Sequence, residues 1–372
     1  MTAAGLPLAL VREDLRDFAG YSSARTSHSG APARIWLNAN EAASANVADP
    51  EGRTRRYPTP QPPELVSALA ALYAADPAGV VVGRGSDEAI DLLVRALCRP
   101  GGDGVVLSSP TFGMYAVSAR LHGVPLHDVP QADEGTTWST DPARIVETVR
   151  ATGSRVVFLA SPGNPTGAGL DTRMLLGLAD ALADQAVVVV DEAYQEFGTA
   201  RSLVPAVADH PTLAVLRTLS KAHGLAGARV GTVVTDPVLA AVLRRVQAPY
   251  PLPAPVVDLT LAALSDAALQ ETRRRVAATV QERARLAALV GRHPLVRAVY
   301  DSEANFVLAR CADAAAVDEV LADLSVHGIV VRDMRHLPGL HDALRVTVGT
   351  PADLDEVAAA LTARPISTTT DR

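Results

Sequence analysis

Lysine occurs once in these 372 residues, at position 221, and arginine supplies every other long basic side chain among the 34 present. If charge were all that this position supplied, arginine would serve there too. A guanidinium does not lose its proton in a protein, whereas a lysine amine does and can then attack a carbonyl carbon. The surroundings favour that chemistry over a stray surface lysine. The apolar run 213–216 reads as a buried strand, Thr218-Leu219-Ser220-Lys221 follows it, and a glycine-containing loop leads to Arg229 at the head of a second apolar run, 230–234. A hydroxyl beside the lysine and an arginine eight positions on are what a phosphorylated, aldehyde-bearing ring would need. Lys221 therefore reads as a Schiff-base lysine.

Three further clusters put polar residues at the ends of apolar runs. Gly83-Arg84-Gly85-Ser86-Asp87-Glu88 separates a strand pattern from a helical one, so free N–H groups at the helix start can hold a phosphate, although a packing turn would look similar. Ser161-Pro162-Gly163-Asn164-Pro165-Thr166-Gly167 directly follows the run 155–160. A structural turn explains its glycines but not the whole heptad. The buried run 186–190 ends in Asp191-Glu192-Ala193-Tyr194. A carboxylate there needs a partner, because unpaired buried charge is costly. Either it caps a helix, or Asp191 pairs with a protonated pyridine nitrogen and makes that ring an electron sink.

The elements around these clusters alternate strand and helix from residue 80 onward. This predicts an α/β fold with a mostly parallel sheet covered on both faces and a ligand beyond the carboxyl ends of its strands. Strands are expected at 80–82, 104–107, 124–129, 155–160, 186–190, 213–216 and 230–234, and helices at 64–75, 88–99, 113–122, 142–150, 172–184 and 237–247. Ahead of them lie a short helical pattern, 10–18, and a short strand, 35–37. Pro249, Pro251, Pro253 and Pro255 alternate in a way neither helix nor central strand accepts, and mark a domain boundary. A long helical region, 256–291, then leads to a smaller α/β unit with strands 296–300, 306–309, 329–331 and 344–348 and helices 314–327 and 352–363. The expected organisation is an N-terminal arm (1–30), a segment contributing to the small domain (31–55), a large domain (56–250), a small C-terminal domain (251–365) and a frayed tail (366–372).

A chain with 48% hydrophobic and 20% charged residues is an ordinary globular protein, and its net charge of −7 argues against a nucleic-acid surface. The start shows no basic stretch followed by an apolar one, and no run of about 18 apolar residues occurs. Cys98 and Cys311 lack metal-ligand spacing. A cytoplasmic protein without metal, membrane or nucleic-acid partner is expected.

In this order and at these separations, Asn164-Pro-Thr-Gly167, Asp191-Glu-Ala-Tyr194 and Ser220-Lys221 through Arg229 resemble the fold-type I pyridoxal-phosphate aminotransferases. Tyr21-Ser-Ser-Ala-Arg25, Trp36-Leu-Asn-Ala-Asn-Glu41, Arg56-Tyr57-Pro58, Arg84-Gly-Ser-Asp-Glu88, Pro110-Thr-Phe-Gly-Met-Tyr115, Arg217-Thr-Leu-Ser-Lys-Ala222, Ala248-Pro-Tyr-Pro-Leu252, Asp301-Ser-Glu-Ala-Asn305 and Leu344-Arg-Val-Thr-Val-Gly349 are similar to the histidinol-phosphate aminotransferase family. They run from residue 21 to about 350.

The resemblance implies a large domain with a helix-covered central sheet, a smaller α/β domain, and pyridoxal 5'-phosphate as cofactor. Lys221 would carry the cofactor and move the proton between substrate and cofactor carbons. Asp191 would pair with the ring nitrogen, and Tyr194 and Asn164 would bond the ring hydroxyl. Ser86, Asp87, Ser220 and Arg229 would surround the phosphate, joined by Tyr57 from the other subunit of a homodimer with shared active sites. Arg332 and Arg345, with Tyr21 nearby, would hold the substrate phosphate. Three departures from the family pattern stand out. Phe112 replaces a frequent tyrosine, keeping an aromatic face for the ring without the hydroxyl; Gly163 replaces a frequent asparagine; His223-Gly224 replaces a frequent Phe-Ala.

The implied reaction transfers the amine of L-histidinol phosphate to 2-oxoglutarate, giving imidazole acetol phosphate and L-glutamate within histidine biosynthesis. An arginine pair suits a carboxylate as well as a phosphate. An aromatic or broad-range aminotransferase and a threonine-phosphate decarboxylase are therefore the alternatives. A regulator with an idle enzyme domain is disfavoured by the retained lysine.

Overall fold

Valine-rich runs form strands here because β-branched side chains suit a pleated surface, and strands buried on both faces need no polar alternation. A computed structural model describes residues 6–21 and 34–362; Ser22 to Arg25 of the arm and the expected frayed tail lie outside the described residues. The strands are β1 (Val80–Arg84), β2 (Val105–Leu107), β3 (Leu126–Asp128), β4 (Ala132–Asp133), β5 (Trp138–Ser139), β6 (Val156–Ala160), β7 (Val187–Asp191), β8 (Leu213–Thr218), β9 (Val230–Val234), β10 (Val296–Val299), β11 (Phe306–Cys311), β12 (Arg332–Asp333) and β13 (Ala343–Thr347). One sheet has the order β1-β9-β8-β7-β6-β2-β3. Its strands from β8 through β3 pair in parallel, and β9 runs antiparallel to both β8 and β1. Asp191 stands opposite Ala160 on one side and Leu216 on the other, so the polar segments after β6, β7 and β8 emerge at one edge.

The helices are α1 (Leu6–Leu10), α2 (Glu13–Arg16), α3 (Pro63–Tyr73), α4 (Ser86–Leu97), α5 (Met114–Leu121), α6 (Pro142–Thr152), α7 (Thr172–Ala181), α8 (Pro237–Val246), α9 (Ala254–Ala263), α10 (Asp266–Gly291), α11 (Ala314–Val326) and α12 (Pro351–Thr362). Successive valines of β7 point to opposite faces. Val188 and Val190 join Leu69 of α3, Ile145 of α6 and Leu175 of α7. Val187 and Val189 join Leu93 of α4, Tyr115 of α5 and Leu239 of α8. Both faces are thus sealed, and the strand ends are where ligands can enter.

A second, antiparallel sheet has the order β10-β11-β13-β12. Leu286 of α10, Val320 of α11 and Val357 of α12 pack with Val307 and Leu344 of this sheet in a separate core. The helical region expected at 256–291 is two helices. Ser265 is extended between them, and its hydroxyl donates to the Ala262 carbonyl at 2.9 Å, a local bond that competes with helix continuation. The strand expected at 35–37 does not form: Ile35 and Leu37 are 65% and 89% exposed and have no neighbouring strand among the described residues to pair with. The strand expected at 329–331 is displaced to Arg332 and Asp333, which pair with β13. Residues 34–56 carry no helix or strand; Arg56 bonds Glu41 and the Trp36 carbonyl, and Arg53 pairs with Asp258 of α9. No helix among the described residues is long and apolar enough to cross a membrane.

Candidate active site

The carboxyl edge of the parallel strands opens into a cavity of about 590 Å³. Asp191 closes β7 and Tyr194 lies in the turn beyond it; Ser220 and Lys221 follow β8, and Asn164 follows β6. Ser86 and Asp87 open α4, Phe112 precedes α5, Arg229 precedes β9, and Arg332 and Arg345 come from β12 and β13 of the second sheet. All of these residues line the one cavity. Tyr57 and Tyr21 do not: both are exposed, Tyr57 stacks on Tyr250 at 4.7 Å, and Tyr21 meets the same ring edge-on at 6.5 Å.

At the start of α4 the backbone approaches β9 so closely that only glycine fits. A Cβ on Gly231 would lie 2.3 Å from the Ser86 nitrogen. Gly85 has φ of +78°, and a Cβ there would lie 2.7 Å from Nη2 of Arg229. These two glycines seat the helix N-terminus beside the Arg229 guanidinium, which donates to Asp87 Oδ2 at 2.7 Å. With the Ser86 and Ser220 hydroxyls lining the same cavity, backbone N–H groups, hydroxyls and a cation gather at one end, a donor set suited to a phosphate.

Asp191 is buried. Its Oδ2 accepts from the Tyr115 hydroxyl at 2.7 Å and its Oδ1 from the Ala193 N–H at 3.0 Å, with no cation paired to it among the described residues. Burial pushes its carboxyl up to about 6, against the lowering effect of those two bonds. Lys221 is open to the cavity, yet protein surrounds it on its other sides. That burial, followed by the positive charge of Arg345, holds its amine below the usual lysine range, and Asp87 and Asp191 oppose the shift. The Lys221 Nζ lies 5.6 Å from the centre of the Tyr194 ring. Burial pushes the Tyr194 phenol up to about 12, so it remains a neutral donor.

Arg345 donates through Nη1 to Asn164 Oδ1 and lies 5.0 Å over the Phe306 ring. Its Nε is buried without a partner among the described residues. Arg332 stands directly opposite Arg345 in the β12–β13 pairing. Thr218, in the segment the sequence marks, also lines the cavity, as do Met334, His336 and Leu337, which no sequence motif signals. Nor was any role given to Tyr115, although a tyrosine on the apolar side of a helix must find a partner for its hydroxyl.

The geometry can therefore hold a phosphate at one end, an aromatic ring bearing a cationic nitrogen beside Asp191, and an anionic substrate group at the arginines. Residues 25–361 match the family model for aminotransferase class I and II. A histidinol-phosphate aminotransferase of Stenotrophomonas maltophilia is 51% identical over 358 residues, 96% of this chain and 97% of that protein. One from Xylella fastidiosa is 51% identical over 354 residues, 95% of this chain and 96% of that protein. The crystal structure of histidinol-phosphate aminotransferase from Sinorhizobium meliloti in complex with pyridoxal-5'-phosphate superposes with a TM-score of 0.75 at 28% identity, covering 87% of this chain and 88% of that one. The chain belongs to the aminotransferase class I and II family, among the histidinol-phosphate aminotransferases.

Proposed function

We propose that this chain is a pyridoxal 5'-phosphate enzyme that moves the amine of L-histidinol phosphate to 2-oxoglutarate, forming imidazole acetol phosphate and L-glutamate for histidine biosynthesis in the cytoplasm. The residues fit that cofactor. Asp191 is a buried carboxylate with no cation paired to it among the described residues, and a protonated ring nitrogen would supply one. Ser86, Asp87, Ser220 and Arg229 would hold the phosphate, Phe112 would face the ring, and Tyr194 and Asn164 would bond its hydroxyl. When bound, the cofactor withdraws electrons from the carbon that carries the transferred amine.

The chain's own residues then have defined tasks. Lys221, whose amine burial and the charge of Arg345 hold below its ordinary range, is the group placed to accept and return a proton at the substrate α-carbon. Asp191, itself buried in the cavity wall, presents fixed negative charge where positive charge must be kept. Arg345 and Arg332 grip a dianion at two points, and the second substrate places a carboxylate on the same pair.

The observation that carries this reading is the sole lysine sharing a cavity with Arg345, whose Nε has no partner among the described residues. Tyr57 and Tyr21, exposed and outside the cavity of their own chain, are assigned to the partner's site in a homodimer with shared active sites. Residues 56–250 would form the cofactor-binding domain, and 251–365 with 31–55 the small domain. Half-reaction spectra with histidinol phosphate, phenylalanine and threonine phosphate, compared side by side, test the substrate. Histidinol phosphate should react at least tenfold more efficiently than phenylalanine, given about 1.5–3 kcal/mol for each charge-assisted bond. Equal reaction with phenylalanine would replace this reading with a broad-range aminotransferase, and carbon dioxide release from threonine phosphate with a decarboxylase.

A further inference from the structure

We infer that Tyr115 is a positioning residue for this reaction: its phenol keeps the Asp191 carboxylate ionised and aligned for the cofactor's ring nitrogen. The inference rests on the proposed pairing of that nitrogen with Asp191. Tyr115 is fully buried on α5. Its ring stacks on Phe158 of β6 with centres 4.7 Å apart and planes 2° from parallel, and Phe112 meets it edge-on at 5.7 Å. Aromatic packing therefore fixes where the hydroxyl points, and it donates to Asp191 Oδ2 at 2.7 Å. The same cluster includes Phe112, so the residue that would face the cofactor ring and the one that anchors its nitrogen are set by one packed unit.

A bond donated to the charged form of a carboxyl favours that form. The need is real, because burial and two neighbouring carboxylates act against the charge of Asp191. Asp87 at the start of α4 and Glu192 in the next position are negative, and burial opposes ionisation more strongly than either. Tyr194 faces it from the turn after β7 and Lys221 from the segment after β8. Only the Tyr115 hydroxyl and the Ala193 N–H donate to it among the described residues. Tyr115 itself is held well above its ordinary range by burial and by the Asp191 charge, so it stays a donor at every working pH.

In apoenzyme carrying carboxyl-labelled aspartate, the Asp191 signal is the carbon resonance missing from Asp191→Asn. Tyr115→Phe, which keeps the ring and removes only the hydroxyl, should raise its titration midpoint by about one pH unit or more. The same variant should bind pyridoxal phosphate several-fold more weakly at pH 7 and almost normally at pH 9. Incorporating 3-fluorotyrosine at position 115, a stronger donor of nearly the same shape, should move the midpoint down, a response that packing alone would not give. An unmoved midpoint in both proteins overturns the role of Tyr115. Midpoints that move while pyridoxal phosphate affinity follows neither of them overturn the proposal at its base, the pairing of Asp191 with the ring nitrogen.

Discussion

Arg345 on β13 donates to Asn164 on the loop after β6, so the two sheets are tied together inside the cavity by one side-chain bond. The residue proposed to grip the substrate anion is thereby linked to the loop proposed to bond the cofactor ring. Arg345→Ala should lower kcat/KM at least tenfold in both half-reactions, since each charge-assisted bond contributes about 1.5–3 kcal/mol. Arg345→Lys should restore little, because an ammonium cannot reproduce the planar two-point grip. Single-turnover rates with histidinol phosphate and with 2-oxoglutarate measure the two halves separately.

Lys221 should be the residue that carries the cofactor. Borohydride reduction followed by peptide mapping is expected to place the pyridoxyl label on Lys221, and label recovered at the N-terminal amine would contradict it. Lys221→Arg should fold normally yet lose the visible absorbance of the bound cofactor, since a guanidinium does not form the imine.

The Asp191 carboxyl makes folding of the apoenzyme pH-dependent in a calculable direction. Burial raises it to about 6 in the folded chain from an ordinary 3.8. The group therefore opposes folding in full above pH 6, and that opposition fades as the pH falls through 6 and is gone below 3.8. Apo Asp191→Asn should be more stable than wild type at pH 8 by roughly 3 kcal/mol. The gap should close near pH 4 in urea titrations. A gap that stays constant across this range would show that the carboxylate is not the cause.

Much of this arrangement is legible in the sequence because the signals are local. The run ahead of Asp191 has valine at each of the positions 187–190 of a strand buried on both faces, and Lys221 is conspicuous in a chain that otherwise uses arginine. What was hidden depends on distance along the chain or on absent partners. Tyr115 and Asp191 are 76 positions apart, and no spacing rule connects them. The break at Ser265 contains neither glycine nor proline, so helical periodicity passes through it unmarked. Residues 35–37 look like a strand, but a strand exists only where another is there to pair with it, and β4 and β5 are too short to show a period.

Four positions before Lys221, Arg217 on β8 holds together a buried ionic cluster whose loss should be costly. Arg217 on β8 is 2.7 Å from Glu192 and 2.5 Å from Glu196, with its guanidinium 4.7 Å over the Tyr73 ring. Arg217→Met would leave Glu192 buried without a cation. Removing one partner of such a pair costs about 3–5 kcal/mol, so the variant should show that loss in urea unfolding at pH 7. Adding Glu192→Gln should recover part of it, because the stranded charge is then gone.

Tyr57 is half exposed and stacked on Tyr250, outside the cavity of its own chain, in a segment where Arg56 and the Tyr57 N–H both bond Glu41. An aromatic pair held this way presents a firm surface rather than a loose tip. If it completes the phosphate end of a partner's site, a subunit with Tyr57 altered still has an intact Lys221, and a subunit with Lys221 altered still offers an intact Tyr57. Tyr57→Ala and Lys221→Ala homodimers should each be weakly active or inactive. Mixing and re-equilibrating them should form hybrids in which one of the two sites has both contributions. Activity approaching a quarter of wild type is then expected, since about half of the dimers are hybrid and each holds one whole site. A fully active monomer in sedimentation and activity assays, or no recovery on mixing two well-folded variants that demonstrably exchange subunits, would rule out sites shared through Tyr57.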